Sequence, residues 1–149
     1  MKKAGKLLTM RGQVNGSINA HKLQIFDGMY TTGYRVVEFY ISPDNPANDN
    51  NIIAKLHTDK NSTSNDKWNW NDNREVAWHS WGVPRGLAGG DFFLIDEENM
   101  VIEDLYLSAK DSSDPTGPIN YYVVMQKYEF PAWVGAGFLV ENLGQGGPQ

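Results

Sequence analysis

Apolar and polar positions alternate along much of this chain with the period of two that marks half-buried strands. The alternation is clearest from Gly33 to Ser42. Tyr34, Val36, Glu38 and Tyr40 share one face there, and Arg35, Val37, Phe39 and Ile41 share the other. Apolar groups on both faces predict a strand inside a sheet. Similar runs predict strands over residues 6–14, 20–26, 52–58, 74–81, 91–95, 100–108 and 120–130. In the run from Arg74 to Trp81, Val76, Trp78 and Ser80 fall on one side and Glu75, Ala77, His79 and Trp81 on the other. Asn15-Gly16 and Asp27-Gly28 are dipeptides favoured in two-residue hairpin turns. Asp96 to Asn99 forms a tight polar turn, and 42–51, 59–66, 82–90 and 109–119 read as loops or flexible connections. After Pro131 the period changes. Trp133, Ala136, Gly137, Val140 and Leu143 recur at helical spacing, and proline suits the first turn of a helix. About eight strands with turn signals roughly every 8–12 residues predict an all-β, antiparallel β-sandwich with one short C-terminal helix. A jelly roll is the expected form, because several connections are long. An immunoglobulin-like sandwich is the alternative.

Composition narrows the picture. The 149 residues predict one domain, 1–149, with a flexible tail from about residue 144. A chain of this length buries about 68–70% of the surface it exposes when unfolded, so its core needs no staples. It contains no cysteine. The net charge of −5 speaks against a nucleic-acid partner, since such proteins present a basic face. The one basic cluster is Lys2, Lys3 and Lys6, with Arg11 further on. No stretch approaches the ~20 apolar residues of a membrane helix. No apolar run of about 7–15 residues follows the first lysines, so no signal peptide is expected. A soluble protein without a membrane partner is the expectation.

Catalytic signatures are missing. The chain has no thiol, no H-E-x-x-H, no G-x-S-x-G and no phosphate-cradling loop. His21, His57 and His79 would have to converge in space to make a cupin-like metal enzyme, and none is paired at a ligand spacing. Glu97-Glu98 and Glu103-Asp104 do not present two carboxylates together, because neighbours on a strand point to opposite faces. The loops from Asp44 to Asn51 and from Asp111 to Asp114 hold oxygen ligands but not the spacing of a calcium loop. No catalytic residue, metal or cofactor is expected.

Four of the five tryptophans, Trp68, Trp70, Trp78 and Trp81, lie in one stretch around an Asn/Asp-rich turn. Large aromatics so close together mark a core plank or a contact surface. Trp78, Trp81, Tyr122 and Trp133 are the candidate anchors of a core or subunit contact. Trp68, Asn69, Trp70, Asn71 and Asp72 have the composition of a sugar site, where rings stack on C–H faces and amides bond hydroxyls. That composition makes a carbohydrate-binding module the alternative function.

The order Asn71 to Trp78, then Phe92-Phe93-Leu94-Ile95-Asp96, then Val101 to Leu107, then Asn120 to Val124 with Lys127-Tyr128, resembles the small β-rich structural proteins of marine bacteriophages. The resemblance covers roughly residues 70–130 and is one of pattern, not motif. It implies a virion component, placed in the capsid, as decoration or in the tail, with no catalysis. Its partners would be copies of itself and other virion proteins. Strands apolar on two faces agree with such self-assembly, because a single sandwich covers each sheet once.

Overall fold

A computed structural model of the chain describes residues 2–25, 28–47, 50–60, 65–82 and 92–142, with Lys6 described by its backbone alone. The elements in order are β1 (Lys2–Asn15), β2 (Ser17–Leu23), β3 (Thr32–Pro43), β4 (Ile52–His57), β5 (Glu75–Trp81), β6 (Phe93–Ile95), β7 (Leu105–Asp111), β8 (Pro118–Glu129) and α1 (Ala132–Asn142). They form an all-β sandwich of two antiparallel sheets, one ordered β1-β8-β3 and the other β2-β7-β4-β5-β6. The pairing is nested. β1 pairs with β8, β2 with β7 and β4 with β5, while an isolated bridge from Tyr34 to Val101 ties β3 to the segment before β7. First pairs with last and second with second-to-last, a nested order compatible with the expected jelly roll, with β6 beside β5 in the larger sheet.

The core lies between the sheets. Val36, Phe39 and Ile41 of β3 and Val123 and Met125 of β8 face Ile52, Leu56 and Leu107 of the other sheet. A smaller core closes one end, where Met100, Ile102 and Phe130 pack against Val134, Phe138 and Leu139 of α1. Asn142 fastens that helix. Its amide nitrogen donates to the Met100 carbonyl at 2.7 Å, and its Oδ1 accepts from the Ile102 N–H at 2.9 Å.

Several expectations change. Asn15-Gly16 is not a hairpin turn, because β1 and β2 lie in different sheets and the chain crosses between them at Gly16. Close packing explains that glycine: a Cβ would stand 2.5 Å from the Asp114 carbonyl oxygen. The strand expected over 100–108 begins only at Leu105, since Met100 and Ile102 turn into the smaller core. In β5 the strict alternation fails. Leu56 pairs with Ala77 and His57 with Glu75, so Val76 is a bulge. The extra residue sends Val76 into the core and puts Glu75 on the side of Trp78. Gly28, at φ +85°, has the left-handed backbone expected of the Asp27-Gly28 turn, although Asp27 itself lies outside the described residues. The connection at 83–90, residues 48–49 and 61–64 of two loops, Asp91, Leu143 and the tail from 144 also lie outside them.

Candidate functional site

The two sheets have differently finished outer faces. On the five-stranded sheet, register places Lys55 and His57 of β4 between Trp78 and Glu75 of β5 and Ser108 and Tyr106 of β7. All but Tyr106 are buried, although their side of the sheet faces away from the core. The segment 65–74 covers them. Asn65 donates to the Ser17 hydroxyl and the Ala109 carbonyl at the β2–β7 side. The Asn69 N–H donates to Glu75 Oε1, and the Trp70 ring meets the edge of Trp78 at 5.9 Å. Arg74 holds the end of this cover, gripping Asp72 through Nε and Nη2 at 2.8 and 2.7 Å and Asp59 through Nη1 at 2.8 Å.

Beneath the cover lies a polar network. The Lys55 ammonium donates to Glu75 Oε2 at 3.0 Å, and the indole of Trp78 donates to Glu75 Oε1 at 2.8 Å. A charge this far from water demands a partner, and each of the two ions supplies the other's. His57 is fully enclosed. Its Nδ1 lies 2.8 Å from the Asp59 carbonyl, which can only accept, so Nδ1 carries the proton. Nε2 then accepts from the Ser108 hydroxyl at 2.7 Å, and that hydroxyl accepts from the Ala20 N–H at 2.9 Å. Burial pushes the His57 imidazolium down to about 4, so the ring is neutral at pH 7. The Asp72 hydrogen bond raises the Arg74 pKa above its ordinary value. At Asp72 burial works to raise the carboxyl pKa, but hydrogen bonds from Arg74 outweigh it and hold the group below the usual range. Every member of this network bonds another part of the fold, which is the arrangement of a structural seal.

The sugar-site residues divide. Trp68 is half-buried and tilts against Phe92 at 5.7 Å. Trp70 is 59% exposed, stacked beside Phe92 at 6.2 Å and 24°. Asn69 Oδ1 accepts from the Asn71 N–H, and Asp72 is committed to Arg74. Asn69, Trp70 and Asn71 are thus the exposed part of that set, and Phe92 is a third aromatic outside the residues that the sequence offered as a sugar site.

The three-stranded sheet has an open outer face. Arg11, Tyr122 and Tyr40 stand in one row across β1, β8 and β3, with Thr9, Val124 and Glu38 in the next and Leu7, Gln126 and Arg35 beyond. Tyr40 is 44% and Tyr122 39% exposed, and Leu7 and Val37 are exposed beside them. A groove of about 640 Å³ runs along Arg11, Gln13, Tyr40, Ser42, Asn120 and Tyr122. Tyrosine and arginine are the residues that interface cores favour.

The candidate anchors therefore separate. Trp78 is buried within the protomer, Trp81 packs partly buried against the main core, and Tyr122 is on the open sheet face. Trp133 is 79% exposed on α1. His21, His57 and His79 sit on three strands. His57 is sealed under the cover, while His79 Nδ1 accepts from the Ile41 N–H and so ties the two sheets together. No three metal-ligating side chains converge among the described residues. No helix among them is long and apolar enough to cross a membrane. The sequence reading missed the Lys55–Glu75 pair, because the two residues are 20 apart and meet only through the β4–β5 register. Compared with protein-family models, curated proteins and solved structures, the chain matches none.

Proposed function

We propose that this protein is a non-enzymatic structural component of a bacteriophage particle, assembling with copies of itself and with other virion proteins. One observation carries the self-assembly: among the described residues nothing is seen to cover the outer face of β1-β8-β3, which bears Tyr40, Tyr122, Arg11, Val37 and Leu7, whereas the segment 65–74 covers the outer side of β4 and β5. Apolar and aromatic surface left open on one sheet favours a protein partner. The pattern resemblance over residues 70–130 supports the viral setting. The polar groups of the buried network bond one another and leave no nucleophile or acid–base pair open to a substrate, which favours the non-enzymatic reading.

The test of assembly is light scattering coupled to size-exclusion chromatography at tens of micromolar. A defined oligomer is expected, and a Tyr40→Glu/Tyr122→Glu variant should dissociate it. A species that stays at 16.7 kDa at every concentration would sink the self-assembly reading. Detection of the protein in purified particles tests the viral setting separately.

A carbohydrate-binding module is the second reading, supported by the exposed Trp70 ring beside Phe92. A glycan array decides it. Binding abolished by Trp70→Ala would favour the module, and an array without hits would remove it.

A further inference from the structure

We infer that α1 is a contact between two copies of this chain, the helices packing antiparallel across a two-fold axis centred on Gly137. The inference rests on the reading that the chain self-associates, and it names a surface separate from the open sheet. The helix reads Ala-Trp-Val-Gly-Ala-Gly-Phe-Leu-Val-Glu-Asn and contains one charged residue, Glu141. Val134, Phe138, Leu139 and Asn142 turn inward and close the end of the sandwich. The opposite side carries Trp133, Ala136, Gly137 and Val140, at the i, i+3, i+4, i+7 spacing of a single stripe, and all four are exposed. A surface helix normally turns a polar face to water, and a helix apolar all round requires cover on both sides. Trp133, at 79% exposure, is the most exposed large apolar side chain of the described residues.

Charge selects a second copy as the occupant. Lys2 and Lys3 are exposed and pair in register with Glu129 and Tyr128, just before α1 begins. Glu141 is exposed at the other end of the helix. An antiparallel pair brings the end that holds Lys2 and Lys3, two positive charges against the one negative charge of Glu129, to the Glu141 end of its partner, and it opposes the helix dipoles favourably. A two-fold contact applies the same patch to itself, so a patch with opposite signs at its two ends is self-complementary. An anionic lipid surface would instead meet Glu129, Glu141 and a net charge of −5. Gly137 occupies the midpoint of Ala132–Asn142, and among the described residues nothing stands within 4 Å of the position its Cβ would take. Two such glycines facing each other let the backbones approach closely. A helix of 11 residues is only about 16 Å long, so the contact is small and the association weak.

The absence of native cysteine makes a cross-linking test clean. Under mild oxidation at tens of micromolar, Gly137→Cys should form a disulfide-linked dimer in high yield. Val140→Cys should not, because antiparallel packing sets the two copies of that position roughly 9 Å apart along the axis. In scattering, Trp133→Glu should lower the oligomer mass with an unchanged circular dichroism spectrum. If Trp133→Glu lost its fold, the cross-linking pair would decide alone. An oligomer whose mass survives Trp133→Glu, with no cross-link at 137, overturns the helix contact and leaves self-assembly through the open sheet standing. A wild-type monomer with no cross-link overturns both. Sedimentation with anionic vesicles that depends on Trp133, without any cross-link, would assign the face to lipid and overturn the inference.

Discussion

Lys55 and Glu75 form an ion pair, 3.0 Å from Nζ to Oε2, on the outer side of a sheet where water would be expected. Only 2% of Lys55 and 4% of Glu75 is exposed, because the segment 65–74 lies over them. The pair depends on the register of β4 and β5, on the Val76 bulge and on the tryptophan cover together.

Removing one partner should therefore cost far more than a surface ion pair. Lys55→Met leaves a buried carboxylate with two neutral donors, and a loss of about 3–5 kcal/mol is expected. Glu75→Gln keeps one acceptor for the Trp78 indole and the Asn69 N–H but turns its amide nitrogen to the Lys55 ammonium, which loses its counter-ion, so a comparable loss is expected. Chemical denaturation of the two variants beside wild type measures both losses. Equal stability of Lys55→Met and wild type would show that the pair is not sealed.

His57 should make stability sensitive to mild acid. Its pKa falls from about 6.5 in the unfolded chain to about 4 in the folded one, so the unfolded state binds more protons between these values. The stability it contributes is complete above pH 6.5 and is lost as pH drops through 4, for a total of about 3 kcal/mol. Most carboxylates stay ionised between pH 7 and 5. A comparison of unfolding free energies over that window should show a downward slope for wild type and a flatter one for His57→Gln.

Two glycines of α1 should respond to alanine in opposite directions. Gly137→Ala adds a methyl into open space and should stabilise the monomer by up to about 1 kcal/mol through helix propensity. Gly135→Ala would drive its methyl into the Tyr30 carbonyl and the Phe130 ring. That overpacking should outweigh the propensity gain, for a net loss of roughly 1–3 kcal/mol. Thermal melts in dilute solution check both signs.

Asn142→Ala should loosen the helix selectively. It strips partners from the Ile102 N–H and the Met100 carbonyl, at roughly 1–3 kcal/mol for each buried group left unpaired. Hydrogen exchange should show faster opening in 132–142 and around 100–102 than between the two sheets. Uniform acceleration over the whole chain would mean that the end cap is no separate unit.

Strand positions and the helix after Pro131 were legible along the chain, since alternation and helical spacing are local consequences of which side chains meet water. The sandwich was legible only as a count of strands and turn signals. Which strands pair was decided by closure of the two sheets over one core, and that closure turned Asn15-Gly16 from a hairpin into a crossing between sheets. The tryptophan stretch was recognisable as central, yet its roles were not. One extra residue at Val76 reversed the facing of Glu75, a shift that no strict period of two reports. The second apolar side of β5, which in sequence invites a partner, is covered by the protein's own segment 65–74, while that of β8 stays open with Tyr122 upon it. Apolar groups on both sides of a strand lead to opposite outcomes on the two sheets, because they report what each strand could bury, and only the path of the segment leading into β5 decides which outer side is covered.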